Sequence, residues 1–284
     1  MIIEDKRETM GEVASTQAPW IGHSTNLVGL STELIASCDF NEAPLPLAIS
    51  GVREFNRPLF DMLAEAESLP EAAQGFTLYM NAMFGIDVEQ QERNPPGAPR
   101  RFRSSFLKLI RGWGFDSNGP EGAVLKGWVE SRFGVFPTFH KKPIRRISSE
   151  VWTHYVEEKM SSRFHNNSIL TQLDLLFEFC QWALAKFFAP GQTHVTLHRG
   201  VNTLEEHLVY DRRADGLVKL RLNNLVSFSS DRHVASCFGD VILTLQAPLA
   251  KVVFFNELLP AHPLKGEGEY LLIGGDYLAR ASRL

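Results

Sequence analysis

The spacing of apolar positions along this chain changes character once, near residue 190. Before that point FDMLAEAES, EAAQGFTLYMNAMF, SFLKLIRGW, EVWTHYVEEKM and SILTQLDLLFEFCQWALAKFF repeat apolar residues at three- and four-residue intervals between Pro and Gly breaks, which predicts helices. In the last run Ile169, Leu170, Leu173, Leu176, Phe177, Cys180, Leu184, Phe187 and Phe188 share one stripe, and Pro190-Gly191 ends it. That pattern predicts a central core helix. Beyond Gly191, the runs HVTLHRG, NNLVSFSS, VILTLQA, KVVFF and EYLLIGGDYLARASRL are rich in β-branched and aromatic residues and separated by turns, which predicts strands. Residues 1–45 have no clean period and many turn formers, so an extended segment that wraps the body or is partly mobile is expected there. The expected organisation is an extended segment at 1–45, a helical region at 46–190 and a β-rich core at 191–284. Segregation of helices from strands indicates an α+β fold and disfavours a doubly wound parallel sheet.

A length of 284 residues allows roughly two domains' worth of chain, and 44% hydrophobic with 22% charged residues is an ordinary globular composition. Disordered, collagenous and disulfide-stapled classes are excluded. The net charge of −4 argues against nucleic-acid binding driven by bulk charge. The average hides a division, because residues 1–92 carry 4 basic and 15 acidic groups while 93–146 carry 12 and 3. The stretch RNPPGAPRRFRSSFLKLIR (93–111) has six basic groups and no acidic one, and KKPIRR (141–146) adds four. These read as solvated faces, as a docking surface for an acidic protein or phosphates, or, more weakly, with only Phe102, Phe106 and Trp113 as interleaved aromatics, as a stacking surface for single-stranded nucleic acid. The charged N-terminus lacks the apolar core of a secretory signal, and no run reaches the ~18 apolar residues of a membrane span, so a cytoplasmic protein without integral membrane association is expected. Cys38, Cys180 and Cys237 have no CxxC spacing and are expected as buried free thiols.

Familiar chemical signatures are missing. There is no GxGxxG after a strand, no GxxxxGK[ST], no HExxH and no GxSxG. His194 and His198 are four apart in an expected strand with no third ligand nearby, so surface histidines are expected and no metal site.

Three elements of the β-rich region are more specific together than apart: Leu197-His198-Arg199-Gly200, then Leu225-Val226-Ser227-Phe228-Ser229-Ser230, then Gly266-Glu267-Gly268-Glu269-Tyr270-Leu271. Their order of Arg, Ser and Glu-x-Glu resembles the arginine-specific mono-ADP-ribosyltransferases, and SFSSDRHVASCFGDVI (227–242) looks like that superfamily's strand, helix and return strand. Within it the chain resembles the dinitrogen-reductase ADP-ribosyltransferase family of nitrogen-fixing bacteria, also at Gly22-His23-Ser24-Thr25-Asn26-Leu27 and Phe55-Asn56-Arg57-Pro58-Leu59-Phe60. Ser-Phe-Ser replaces the commoner Ser-Thr-Ser, and His198 stands where Tyr is common, so contacts of those intervening side chains do not transfer.

The resemblance implies two packed antiparallel sheets around a cleft for NAD, the co-substrate. It implies transfer of ADP-ribose to one arginine of dinitrogenase reductase, with a PII signalling protein as activator and nitrogen fixation switched off under ammonium or darkness. Splitting NAD at the nicotinamide–ribose bond passes through an oxocarbenium-like state, which a carboxylate near the ribose 2′-hydroxyl stabilises. Glu269 suits that place. Glu267 suits the orientation and deprotonation of an incoming guanidinium, whose pKa above ~12 forbids deprotonation in advance. Arg199 offers a forked cation to the pyrophosphate, and Ser227 a hydroxyl able to hold Glu269. Gly200 and Ser229, in the same two motifs, complete the expected NAD-binding set. The rival readings are an arginine transferase with another protein target, and a catalytically silent NAD-binding regulator. For 22–27 and 55–60, packing against the core and closing the NAD cleft stand equal.

Overall fold

The computed structural model describes residues 21–86, 105–161, 167–260, 263–264 and 268–283. Helices fill the first part. They span Thr32–Ile35, Cys38–Glu42, Val52–Phe55, Arg57–Ala64, Leu69–Phe84, Phe106–Phe115, Pro120–Phe133, Glu150–Met160 and Asn167–Ala183. Ser31, Ser37, Ser68, Ser105 and Ser149 each turn a hydroxyl back to a first-turn N–H, which satisfies donors the helix cannot use itself. The expected segment 1–45 therefore contains two short capped helices in its described part, and residues 22–27 pack on the end of helix 120–133. There His23 N–H donates to the Gly134 carbonyl, and a Cβ on Gly22 would lie 2.0 Å from that oxygen.

Helix 120–133 is absent from the sequence-based expectation. Gly122, Ala123, Val124, Leu125, Lys126, Trp128, Val129 and Phe133 are all buried, so both its faces are covered and no stripe exists to detect. The central helix is as expected through Ala183, then widens into a π turn at Leu184–Phe188, with Ala189 N–H bonding the Leu184 carbonyl. Phe188 is 40% exposed rather than core, because that turn rotates it off the stripe. The helix also buries Asp174 and Glu178. Asp174 accepts from the Trp128 indole and Arg132, and Glu178 from Ile49 N–H and the Arg53 guanidinium.

Eight strands follow the numbering β1 Phe139–His140, β2 Lys142–Pro143, β3 His194–Val201, β4 Leu208–Arg212, β5 Leu217–Ser229, β6 Val241–Pro248, β7 Val252–Phe255 and β8 Glu269–Arg283. β1 and β2 form a separate pair, and the other six form an antiparallel sheet in the order β4-β5-β3-β6-β8-β7. A further β5–β8 pairing closes β3, β6, β8 and β5 into a ring. The α+β class holds; in place of two separate packed sheets the described strands of the β-rich region form one antiparallel sheet, because β5 and β8 are long enough to pair with each other as well as with β4, β3, β6 and β7. Register breaks at Asn223-Asn224, where a Cβ on Gly274 would lie 1.7 Å from the Asn223 carbonyl. Buried Asn224 uses that bulge to donate to the carbonyls of Lys126 and Val135, and Asn223 accepts from Thr138 N–H, which pins helix 120–133 to the sheet. One hydrophobic core runs from Ile35 to Ala279 through both regions.

Candidate active site

The three sequence elements meet on β3, β5 and the start of β8. Ser229 pairs with His198 on one side and Glu269 on the other, so one row crosses three strands. Two such steps place Arg199, the next residue on β3, about 10 Å from the Glu269 backbone. That separation suits a cation for a pyrophosphate and a carboxylate for the ribose beyond it. Arg199 is half-buried, and its Nη1 donates to the Ser227 carbonyl at 2.8 Å, which fixes one edge of the guanidinium.

The register distinguishes the two serines. Ser229 lies directly across from Glu269, whereas Ser227 faces Leu271 and is only a diagonal neighbour of Glu269. The Ser227 hydroxyl accepts a hydrogen bond from the Trp113 indole at 2.8 Å, and Ser229 Oγ accepts Asp231 N–H at the start of the turn. Asp231 then caps helix Arg232–Ser236 by accepting from His233 and Val234 N–H. That helix lies over Gly200, where a Cβ would come within 2.1 Å of the Ala235 carbonyl, so Gly200 serves the close packing beside Arg199. Phe238, 68% exposed, stands in the following turn.

Glu269 opens β8 immediately after Gly268, which has φ 58° and whose carbonyl accepts from Ser230 N–H at 2.9 Å. The left-handed backbone favours glycine here, and a Cβ would also crowd the Ser230 hydroxyl at 2.2 Å. Glu267 lies outside the described residues, as do residues 93–104 of the basic stretch. Lys141, Lys142, Arg145 and Arg146 are exposed.

Two residues were not singled out by the sequence as parts of the site. Trp113, known from the sequence only as an aromatic among basic residues, reaches Ser227 from helix 106–115 and lies under the Lys126 ammonium, 5.8 Å from its ring centre. Lys126 is buried and held by Asn118, the Phe139 carbonyl and His140, with its pKa pushed down to about 7 by burial. His207 follows the turn Leu204–Glu206, before β4. Burial and then the Arg199 charge push its pKa down to about 4, so it is neutral at pH 7. No sequence signal marks Trp113 as part of the site, since its place depends on a contact between segments 114 positions apart.

The histidine pair takes other partners: His194 Nε2 meets the Asn41 carbonyl and His198 Nδ1 the Thr244 hydroxyl. Among the described residues no three His, Cys, Asp or Glu gather to hold a metal, and no helix is long and apolar enough to cross a membrane. Of the three cysteines only Cys180 is buried; Cys38 is intermediate and Cys237 exposed. Cys237 departs from expectation because it ends the short helix over Gly200 on its outer side.

No solved structure matches the chain. Residues 25–281 match the family described as dinitrogenase reductase ADP-ribosyltransferase. The NAD(+)–dinitrogen-reductase ADP-D-ribosyltransferase of Rhodospirillum rubrum is 62% identical over 268 residues, covering 94% of this chain and 97% of that protein. Arg, Ser and Glu motifs carried on three neighbouring strands, within a match of that extent, mean that the chain belongs to the dinitrogenase reductase ADP-ribosyltransferase family.

Proposed function

We propose that this chain transfers ADP-ribose from NAD to an arginine of dinitrogenase reductase and releases nicotinamide. The observation that carries the reading is the row His198–Ser229–Glu269, with Arg199 next to His198 on β3, in a chain 62% identical to an enzyme of that name. Arg199 binds the pyrophosphate through the guanidinium edge not turned to the Ser227 carbonyl. Glu269, aimed by the Gly268 turn, stabilises the positive charge that develops on the ribose as nicotinamide departs. Glu267, two residues earlier, orients the target guanidinium and takes its proton as the new C–N bond forms. Ser229, across from Glu269, is the hydroxyl best placed to hold that carboxylate, while Ser227 joins the site to helix 106–115 through Trp113.

The finer parts of the reading rest on the family. They are a cytoplasmic setting, a single modified arginine, a PII protein as activator, and control by ammonium or energy status. Incubation with NAD and purified dinitrogenase reductase, followed by mass mapping, tests the core of it. One arginine should gain ADP-ribose, and Glu269→Gln should abolish the gain. Nicotinamide release without modification would assign a different protein target. No release with or without acceptor would make the chain a silent NAD-binding regulator.

A further inference from the structure

Cross-strand partners project to the same face of a sheet, as do residues two apart on one strand. Ser227, Ser229 and Glu269 therefore share a face, and Trp113 lies on it, because its indole reaches the Ser227 hydroxyl. From Trp113 the contacts lead outward to the β1–β2 hairpin. Lys126, whose ammonium lies over that indole, donates to the Phe139 carbonyl at 3.1 Å, and Asn223 binds the same carbonyl and the Thr138 N–H, each at 2.9 Å. The Asn118 side-chain oxygen accepts from both Lys126 and the Lys141 N–H, which ties the loop after helix 106–115 to the hairpin. These anchors carry a surface of one charge sign. Lys142, Arg145 and Arg146 are exposed and make no ion pair or side-chain hydrogen bond among the described residues. Two carboxylates of the adjoining helices are engaged already, Glu158 by His140 and Lys141, and Glu130 by Tyr155 and Lys159. Phe115, 74% exposed at the end of helix 106–115, and exposed Phe139 on β1 add apolar area.

We propose that Phe115, Phe139, Lys142, Arg145 and Arg146 form the surface that docks the acceptor protein, through an acidic patch around its target arginine; this rests on the reading of the chain as a transferase to a protein arginine. A guanidinium that approaches Glu269 past three unpaired cations is repelled unless carboxylates accompany it. An arginine set among acidic residues meets that condition, and one set among basic residues does not. Residues 1–92, with 15 acidic and 4 basic groups, repel the same partner, so the field of the whole chain turns it toward the hairpin. The hairpin selects the protein, and the two glutamates act on its arginine.

Kinetics of ADP-ribose transfer to purified dinitrogenase reductase, beside calorimetric titration with NAD, test the assignment. The proteins compared are the wild type, a triple variant with Lys142→Glu, Arg145→Glu and Arg146→Glu, and a second triple variant with Gln at the same three positions. Charge reversal should raise KM for the acceptor protein about tenfold or more, as loss of steering does, and the neutral triple variant should raise it less. In both variants kcat at saturating acceptor and the affinity for NAD should stay within about twofold of the wild type, which also shows that each is folded. Added salt should raise the wild-type KM for the acceptor and leave that of the neutral variant nearly unchanged. An unchanged KM for the acceptor in the charge-reversed variant would overturn the proposal. So would a loss of NAD affinity in step with transfer, which would assign these residues to NAD or to folding. A wild type that releases nicotinamide but leaves dinitrogenase reductase unmodified would overturn the reading of the target, and this surface's partner with it.

Discussion

Replacing Gly268 by alanine should separate the stability of the β8 entry from its effect on catalysis. An L-residue at φ 58° costs ~1–2 kcal/mol. The new methyl would also sit 2.2 Å from the Ser230 hydroxyl, but 3.5 Å from Ser230 Cβ and N, which is ordinary contact. The hydroxyl can rotate away, giving up only a long 3.4 Å contact to the Gly268 carbonyl. The expected stability loss is therefore the backbone term, with each kcal/mol lowering the melting temperature by ~2–4 °C in a chain of this size. Catalysis should suffer more, because any relaxation of φ swings Glu269, and a misplacement of ~1 Å can cost ~10²-fold. Thermal melts should be run beside nicotinamide release for Gly268→Ala and for the double variant with Ser230→Ala, which removes the crowding but not the strained φ. The double variant should regain little kcat. A Gly268→Ala protein with kcat within about twofold of the wild type and a lowered melting temperature would refute the claim that this turn aims Glu269.

Glu269→Gln should depress nicotinamide release by ~10² with and without acceptor protein, whereas Glu267→Gln should abolish arginine transfer and spare slow NAD hydrolysis; equal loss of hydrolysis in both would refute that division. Trp113→Phe keeps the ring but removes the 2.8 Å bond to Ser227, so kcat should fall severalfold, and the effect should vanish in a Ser227→Ala background if the two act as one unit. Lys251 is fully buried between the Phe40 and Tyr277 rings, and burial pushes its pKa down to about 7. The unfolded chain therefore holds a proton that the folded one releases between about pH 7 and 10, so this group's contribution to stability rises with pH across that window. Lys251→Met should raise the melting temperature most near pH 7 and progressively less toward pH 10, and a pH-independent difference would contradict the burial argument.

The sequence by itself determined the segregation of helices from strands, the central helix from Ile169 to Ala183, and the residue types of the Arg, Ser and Glu-x-Glu row. Each is a local signal. A 3.6-residue stripe exists only where one face is buried, period-2 runs mark half-covered strands, and a motif is read within a few residues. Helix 120–133 escaped because burial on all sides erases its stripe, and β4 with the first half of β5 escaped because Leu208–Arg212 and Leu217–Leu222 mix charges into short runs. Only the tertiary structure decided which serine stands across from Glu269, since a shift of one residue in β5–β8 register changes every partner. It alone brought Trp113 to Ser227 across 114 positions. Hydrogen bonds and fields act through space, and the chain order of residues carries no record of which distant side chains the packed core will place in contact.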